Sequence, residues 1–261
     1  MIKIIKNKDK GKPQEEKDPI WFKEVTCQVC GAKHKTPRVK PSFLKVKSVE
    51  SDFHKIYEFI NPIYYAITTC NECNYSARNN DYDKVTLEYH KEIIDLAMSI
   101  KNAKKNVVFK NEKNPSLEEV VNKHLLAIYF YKSFKPENPN IIAGLYMHLV
   151  WLSREAGNKE KENEYIKNAI EYYIKTYEKG VYIPEKIGIP GIMYLIGELY
   201  RRIGNYPDAI QWFSRVIKDD MIDNYPNINN LTHEAWEKIN EEKKKMNEGD
   251  NVKSSMKENE R

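Results

Sequence analysis

Four cysteines, Cys27, Cys30, Cys70 and Cys73, carry the clearest chemistry in this chain. They form two Cys-x-x-Cys pairs, Cys27-Gln28-Val29-Cys30 and Cys70-Asn71-Glu72-Cys73, and no cysteine is left over. A two-residue spacer lets a tight turn aim both sulfurs at one ion, and two such turns close a tetrahedron. The spacing predicts one structural zinc ion held by four thiolates. Such a shell leaves no position for water, so the metal is expected to support the fold and not to catalyse. Gly31 follows the first pair and Asn74 the second, residue types that tolerate the left-handed backbone of such turns. The competing readings are disulfides, which belong to oxidising compartments, and a redox pair, which needs one motif at a helix start and not two matched ones. His34 is read as a surface histidine, since four thiolates already fill the shell.

Three further groups of residues invite chemistry. From Trp21 to Glu50 there are seven basic residues and two acidic ones, an excess equal to the net charge of +5 of the whole chain. Lys33, Lys35, Arg38, Lys40, Lys45 and Lys47, with Phe43 and Tyr64 for stacking, form an alternative nucleic-acid-binding segment; the bland reading is a basic rim around an anionic metal site. Asp52, His54 and Asp81 define a second alternative, a metal-dependent hydrolase that would need another metal. His233-Glu234 with Glu237 lacks the second histidine of a metalloprotease helix, and no phosphate-cradling glycine loop or nucleophile elbow occurs. No catalytic residue is assigned, and the chain is read as leaning away from enzyme function.

The elements that must position these groups follow from pattern. At 261 residues, with 41% hydrophobic and 11% aromatic content, the chain can bury substantial cores. Its first residues turn to lysine after Ile5, and no stretch approaches membrane-spanning length, so a cytoplasmic chain without membrane contact is expected. Residues 31–69 between the cysteine pairs exceed the roughly 15–20 of a minimal ribbon, which implies an insertion. Lys23–Thr26 and Ile63–Thr69 are predicted to feed the two cysteine turns as strands. Residues 39–49 are predicted as edge strand and loop, and residues 52–60 as a short helix ended by Asn61-Pro62.

Beyond Asp81 the period becomes helical, with a helix over residues 85–100, a polar loop over 101–114 and a second helix from Pro115-Ser116. Three segments then share alanine, isoleucine, any residue and two aromatics: Ala127–Tyr131, Ala169–Tyr173 and Ala209–Phe213, spaced by 42 and 40 residues. This period predicts stacked helical hairpins. Between glycine and alanine the second copy (Gly157, Ala169) carries seven more residues than the third (Gly204, Ala209), close to two helical turns, so one long helix over 159–179 is predicted. The segment from Val181 to Pro190 is a connection, and Leu231–Met246 a final helix. The expected organisation is a flexible segment over 1–20, a zinc-ribbon-like domain with insertion over 21–80, a helical repeat domain over 81–246 and a disordered tail over 247–261. In fold class this is mainly α: a small four-cysteine module with short strands followed by an α-solenoid.

Ile196-Gly197, Tyr200, Gly204, Tyr206, Ala209 and Phe213 resemble a tetratricopeptide repeat in relative spacing. That resemblance implies a groove lined by Tyr194, Glu198, Arg201 and Arg202, and by parallel placement Met147, Trp151, Arg154 and Glu155. Arginines and a tryptophan suit an acidic or carboxylate-ended peptide. Over most of residues 21–240 the combination of Cys27-x-x-Cys30-Gly31, Asp52 with Tyr57, Asn61-Pro62-x-x-Tyr65, Cys70-x-x-Cys73 and Tyr75-Ser76-Ala77 resembles a bacterial family called domain of unknown function 2225. The resemblance implies a cytoplasmic bacterial protein with zinc and helical repeats, and no established activity. The leading expectation is a non-enzymatic scaffold whose groove holds a protein or peptide.

Overall fold

The computed structural model describes residues 18–84, 90–103, 109–181 and 183–258. Three antiparallel strand pairs come first. β1 (Ile20–Thr26) pairs with β2 (Lys33–Val39), β3 (Val46–Val49) with β4 (Lys55–Tyr57), and β5 (Ile67–Thr69) with β6 (Ser76–Arg78). Thr26 stands opposite Lys33 and Thr69 opposite Ser76, so each Cys-x-x-Cys motif is the turn of its own hairpin. Short 3-10 helices occupy Pro41–Phe43 and Pro62–Tyr65.

The second half is helical: α1 (His90–Ala103), α2 (Leu117–Ser133), α3 (Pro139–Glu155), α4 (Lys159–Lys179), α5 (Gly188–Arg202), α6 (Tyr206–Ile217) and α7 (Pro226–Glu258). Local rules set the helix starts. The side chains of Ser116, Asn138, Asn158 and Asn205 each accept from a backbone N–H in the first turn of α2, α3, α4 and α6. Gly157 and Gly204, in left-handed backbone at φ 69° and 77°, reverse the chain before α4 and α6. The predicted long helix runs from Lys159 to Lys179, and Gly180 at φ 62° ends it.

Neighbouring helices pack in sequence order, α2 on α3, α3 on α4, α4 on α5, α5 on α6 and α6 on α7. Ala127, Ala169 and Ala209, the small residue of each repeated segment, are fully buried. Gly197 lies so close to the Phe213 ring that an added Cβ would come within 2.6 Å of it, so only glycine allows α5 and α6 their present approach. One continuous apolar core runs from Val25, Ile67 and Tyr75 in the strand pairs through Phe130 and Leu149 to Ile239. α2 makes the join by packing on β5 and β6.

Several local expectations give way to tertiary structure. Residues 52–60 form no helix: Lys55–Tyr57 is a strand, because pairing with β3 satisfies its backbone within a hairpin. Residues 62–65 are a 3-10 turn and not strand, since Pro62 starts a helical turn that Asn61 caps. α1 continues through residues 101–103 of the predicted loop, and α5 begins at Gly188 inside the predicted connection. α7 begins at Pro226 and extends to Glu258, through much of the expected tail, as its Lys, Glu and Met content permits. The flexible segment expected over 1–20 lies outside the described residues up to Lys17, and Ile20 already starts β1; positions 85–89 of the expected first helix and 104–108 of the expected loop also lie outside them.

Candidate functional site

The two cysteine turns meet. All four sulfurs lie within 4.8 Å of one another, the one cluster of ligand groups among the described residues with metal-holding spacing. Cys27 Sγ is 3.7 Å from Cys73 Sγ and Cys30 Sγ is 3.6 Å from Cys70 Sγ, so the cysteines are free thiols and not disulfides. The turns are built alike. Gly31 N donates to Cys27 O at 2.9 Å and Asn74 N to Cys70 O at 3.1 Å, with Gly31 at φ 74° and Asn74 at φ 62°. Cys27 N then donates to Ala32 O at 2.8 Å, and Cys70 N to Tyr75 O at 2.9 Å.

The cluster has the makeup of a site that could hold a cation. Hydrogen bonds from Cys70 and Cys73 hold the Cys27 thiol far below its ordinary range, and sharing with Cys27 pushes Cys70 up to about 12 and Cys73 higher still. One thiolate is favoured and further ones are opposed by their neighbours. The donor set fits the group: four soft sulfurs, three of them buried, with Cys30 at the surface. His34 is half-buried and not a surface residue; its Nε2 lies 3.0 Å from the Tyr82 hydroxyl, and the two rings meet edge to face. Asn111 fixes the second turn to α2 by donating to Thr69 O at 3.0 Å while accepting from the buried Lys123 ammonium at 3.0 Å. Nothing in the polar run around Asn111 marks that role in sequence.

The insertion between the turns reaches a second cluster. Its tip, residues 50–54 between β3 and β4, lies against the ends of α3 and α5, on the residues expected to line a groove. Asp52, fully buried, receives Arg154 NH2 at 2.7 Å and Trp151 Nε1 at 3.3 Å, with Arg202 Nε 3.5 Å away. Arg154 also donates to Glu50 and, at 2.8 Å, to Glu162 of α4. Ser51 donates to Glu198 at 2.6 Å, accepts from Arg202 at 3.0 Å, and its carbonyl accepts from the Tyr194 hydroxyl at 2.7 Å. Arg201 holds Glu198 at 2.8 Å and Glu242 of α7 at 2.5 Å. Asn61 donates to Glu155 at 2.8 Å at the rim, and Met147 is buried in the core. The expected groove residues other than Met147 are thus brought together, and the chain's own hairpin lies over them.

Charge balance holds this tip although Asp52 is fully buried. Burial alone would raise the Asp52 pKa, but the Arg154 hydrogen bond and the charges of Arg202 and Arg154 hold it below the ordinary value of 3.8. Glu162 follows the same pattern, with Arg154 and Lys159 outweighing desolvation. Phe53 adopts a left-handed φ of 65°, a conformation that costs a non-glycine residue about 1–3 kcal/mol. It persists because Phe53 N closes the turn on Glu50 O and its ring packs on Tyr194 at 5.6 Å.

The remaining candidates separate. His54 shares the tip with Asp52, stacked on Trp151 at 4.9 Å between Glu50 and Glu155. Asp81 does not join them; Tyr131 donates to it at 2.7 Å and Arg78 at 2.6 Å, so the three residues proposed for hydrolysis form no common centre. In the basic segment, Lys35 pairs with Glu24 and Lys45 with Glu58, Arg38 is spent on Thr36 and Thr68, Lys40 is half-buried, and Lys33 and Lys47 are exposed. His233, Glu234 and Glu237 stand exposed on α7.

No helix among the described residues is long and apolar enough to cross a membrane. No curated protein and no solved structure matches the chain. A family model described as "Uncharacterized protein conserved in bacteria (DUF2225)" matches residues 20–239, a span that holds both cysteine turns, the inserted hairpin and the helices that receive it; the chain belongs to that family.

Proposed function

We propose that this is a non-enzymatic interaction protein in which a structural zinc ion at the four cysteines anchors the inserted hairpin, and a tetratricopeptide-like helical face formed by α3 and α5 recognises extended acidic segments. The observation that carries the reading is the clasp on Asp52: two guanidinium groups and an indole N–H converge on one carboxylate at the hairpin turn. Arginine pairs suit planar acidic groups, and the hairpin tip is an acidic segment of this chain seated on the face. A partner would reach these residues by replacing the tip.

The experiment is direct. An Asp52→Arg variant expels the tip by like charge, and a labelled peptide copying residues 46–57 is then added. The peptide should bind this variant and not the wild-type chain, and adding Arg154→Glu should abolish binding. Absence of binding to Asp52→Arg that remains folded removes the groove from the account.

Trp21, Phe22 and Phe59 are exposed in the same module as Lys33 and Lys47, which favours nucleic acid as a second reading. A gel shift at low salt tests it, because phosphate contacts are strongest there. No shift under those conditions removes that reading.

A further inference from the structure

A cavity of about 350 Å³ lies between the inserted segment and α3, apart from the arginine clasp. Phe53, Ile63, Ala66 and Trp151 give it much of its apolar wall, and the rings of His54 and His148, with Lys55, are the basic groups of its lining. Its size falls in the range of small-molecule sites, as does its makeup of apolar walls with few polar atoms.

The polar atoms are fixed by a relay behind the wall. His124 Nδ1 lies 2.8 Å from the Val120 carbonyl, which can only accept, so Nδ1 carries the proton and donates. Burial lowers the His124 pKa to about 4, so the ring is neutral and Nε2 is a bare lone pair. His148 Nδ1 is 3.1 Å from that lone pair and must donate to it. His148, lowered to about 3 mainly by burial, is also neutral. Its remaining nitrogen, Nε2, is therefore an acceptor without a proton, on a ring that lines the cavity. His54 is 1% exposed, and its Nε2 makes no hydrogen bond but lies 3.4 Å from a Glu155 carboxylate oxygen.

We propose that this cavity binds a small, neutral, planar heteroaromatic molecule that donates a ring N–H to His148 Nε2. Lys55 lines the cavity from an exposed position, whereas at the His148 ring a carboxylate would meet a lone pair where it needs a donor. A flat ring fits a wall made largely of flat side chains. Trp151 borders both this cavity and the clasp, but the proposal stands without any peptide in the groove.

Indole and 1-methylindole, which differ by the N–H, are the probes. Each is titrated into the full chain while the ring nitrogen signals of His148 and Trp151 are followed by NMR. Indole should shift both signals saturably, and 1-methylindole should bind about tenfold more weakly for want of the donor. His148→Phe should close that gap, and Ala66→Met, which adds bulk to the cavity lining, should weaken both probes. Unmoved signals at the solubility limit of indole, or equal affinity of the two probes for the wild-type chain, would overturn the proposal; both readouts hold even if a variant fails to fold.

Discussion

The segment between the two Cys-x-x-Cys pairs is closed at both ends, and the closures differ in kind. At its base four thiols gather within 4.8 Å, on turns of near-identical hydrogen bonding. At its tip, Glu50, Ser51 and Asp52 enter a lattice of arginines and glutamates drawn from α3, α4 and α5. The base is a cluster of sulfur donors that could hold a cation from outside the chain. The tip brings its own counter-charges. On the proposed function, a hairpin held at one end by an external ion and at the other by internal ion pairs answers to two different disturbances: removal of metal, and loss of charge.

The largest expected effect is at the base. Cys70→Ser should abolish stoichiometric zinc, seen by elemental analysis, and with it most of the stability of the strand module, since structural zinc sites contribute about 10 kcal/mol or more. A chelator should reproduce the loss in the wild-type chain. Unchanged melting after either treatment would make the base as independent of metal as the tip.

Arg154→Ala comes next. It leaves Asp52, Glu50 and Glu162 without their shared cation, and breaking a buried pair in this way should cost about 3–5 kcal/mol in urea unfolding, with zinc content unaffected. Zinc lost along with stability would mean that base and tip form a single cooperative unit.

Acid separates the carboxylates of the tip from the base more gently. Asp52 and Glu162 have folded-state pKa values held below their ordinary 3.8 and 4.5, so they contribute stability that is fully present above those values and fades as pH falls through the lower folded ones. Urea midpoints should therefore drop below about pH 4. Asp52→Asn should start lower and flatten the acid limb; a limb of unchanged slope would assign the acid sensitivity elsewhere.

The smallest effect belongs between the two ends. Lys45 and Glu58 pair across the exposed shaft of the hairpin at 2.8 Å, and Lys45→Ala should change stability by less than about 1 kcal/mol. A larger loss would show that the shaft, and not only its ends, is held.

Legibility in the sequence follows the same division. The cysteine turns are written within a few residues, so spacing alone gives the ligand set, and Gly31 and Asn74 mark the left-handed positions that the turns use. The capped helix starts and the long α4 were equally local. The groove residues were named from their repeat positions, but nothing nearby in sequence says that Asp52, 102 residues from Arg154, fills the space between them. Residues 52–60 carry a helical spacing of Phe53, Ile56, Tyr57 and Ile60, and strand pairing overrides it. The His124–His148 relay was invisible, because two histidines on different helices acquire meaning only when the helices pack.

By itself, then, the sequence determined the elements whose information is short-range: thiol pairs set by turn geometry, helices set by period and caps, and the small residues at helix contacts. Tertiary structure alone decided which carboxylate meets which arginine, that the inserted hairpin covers the helical face, and that a cavity remains beside it. The reason is physical. A Cys-x-x-Cys turn or a helix cap is stabilised by atoms a few bonds apart, whereas a buried charge has no preferred partner until packing removes water and leaves one within reach.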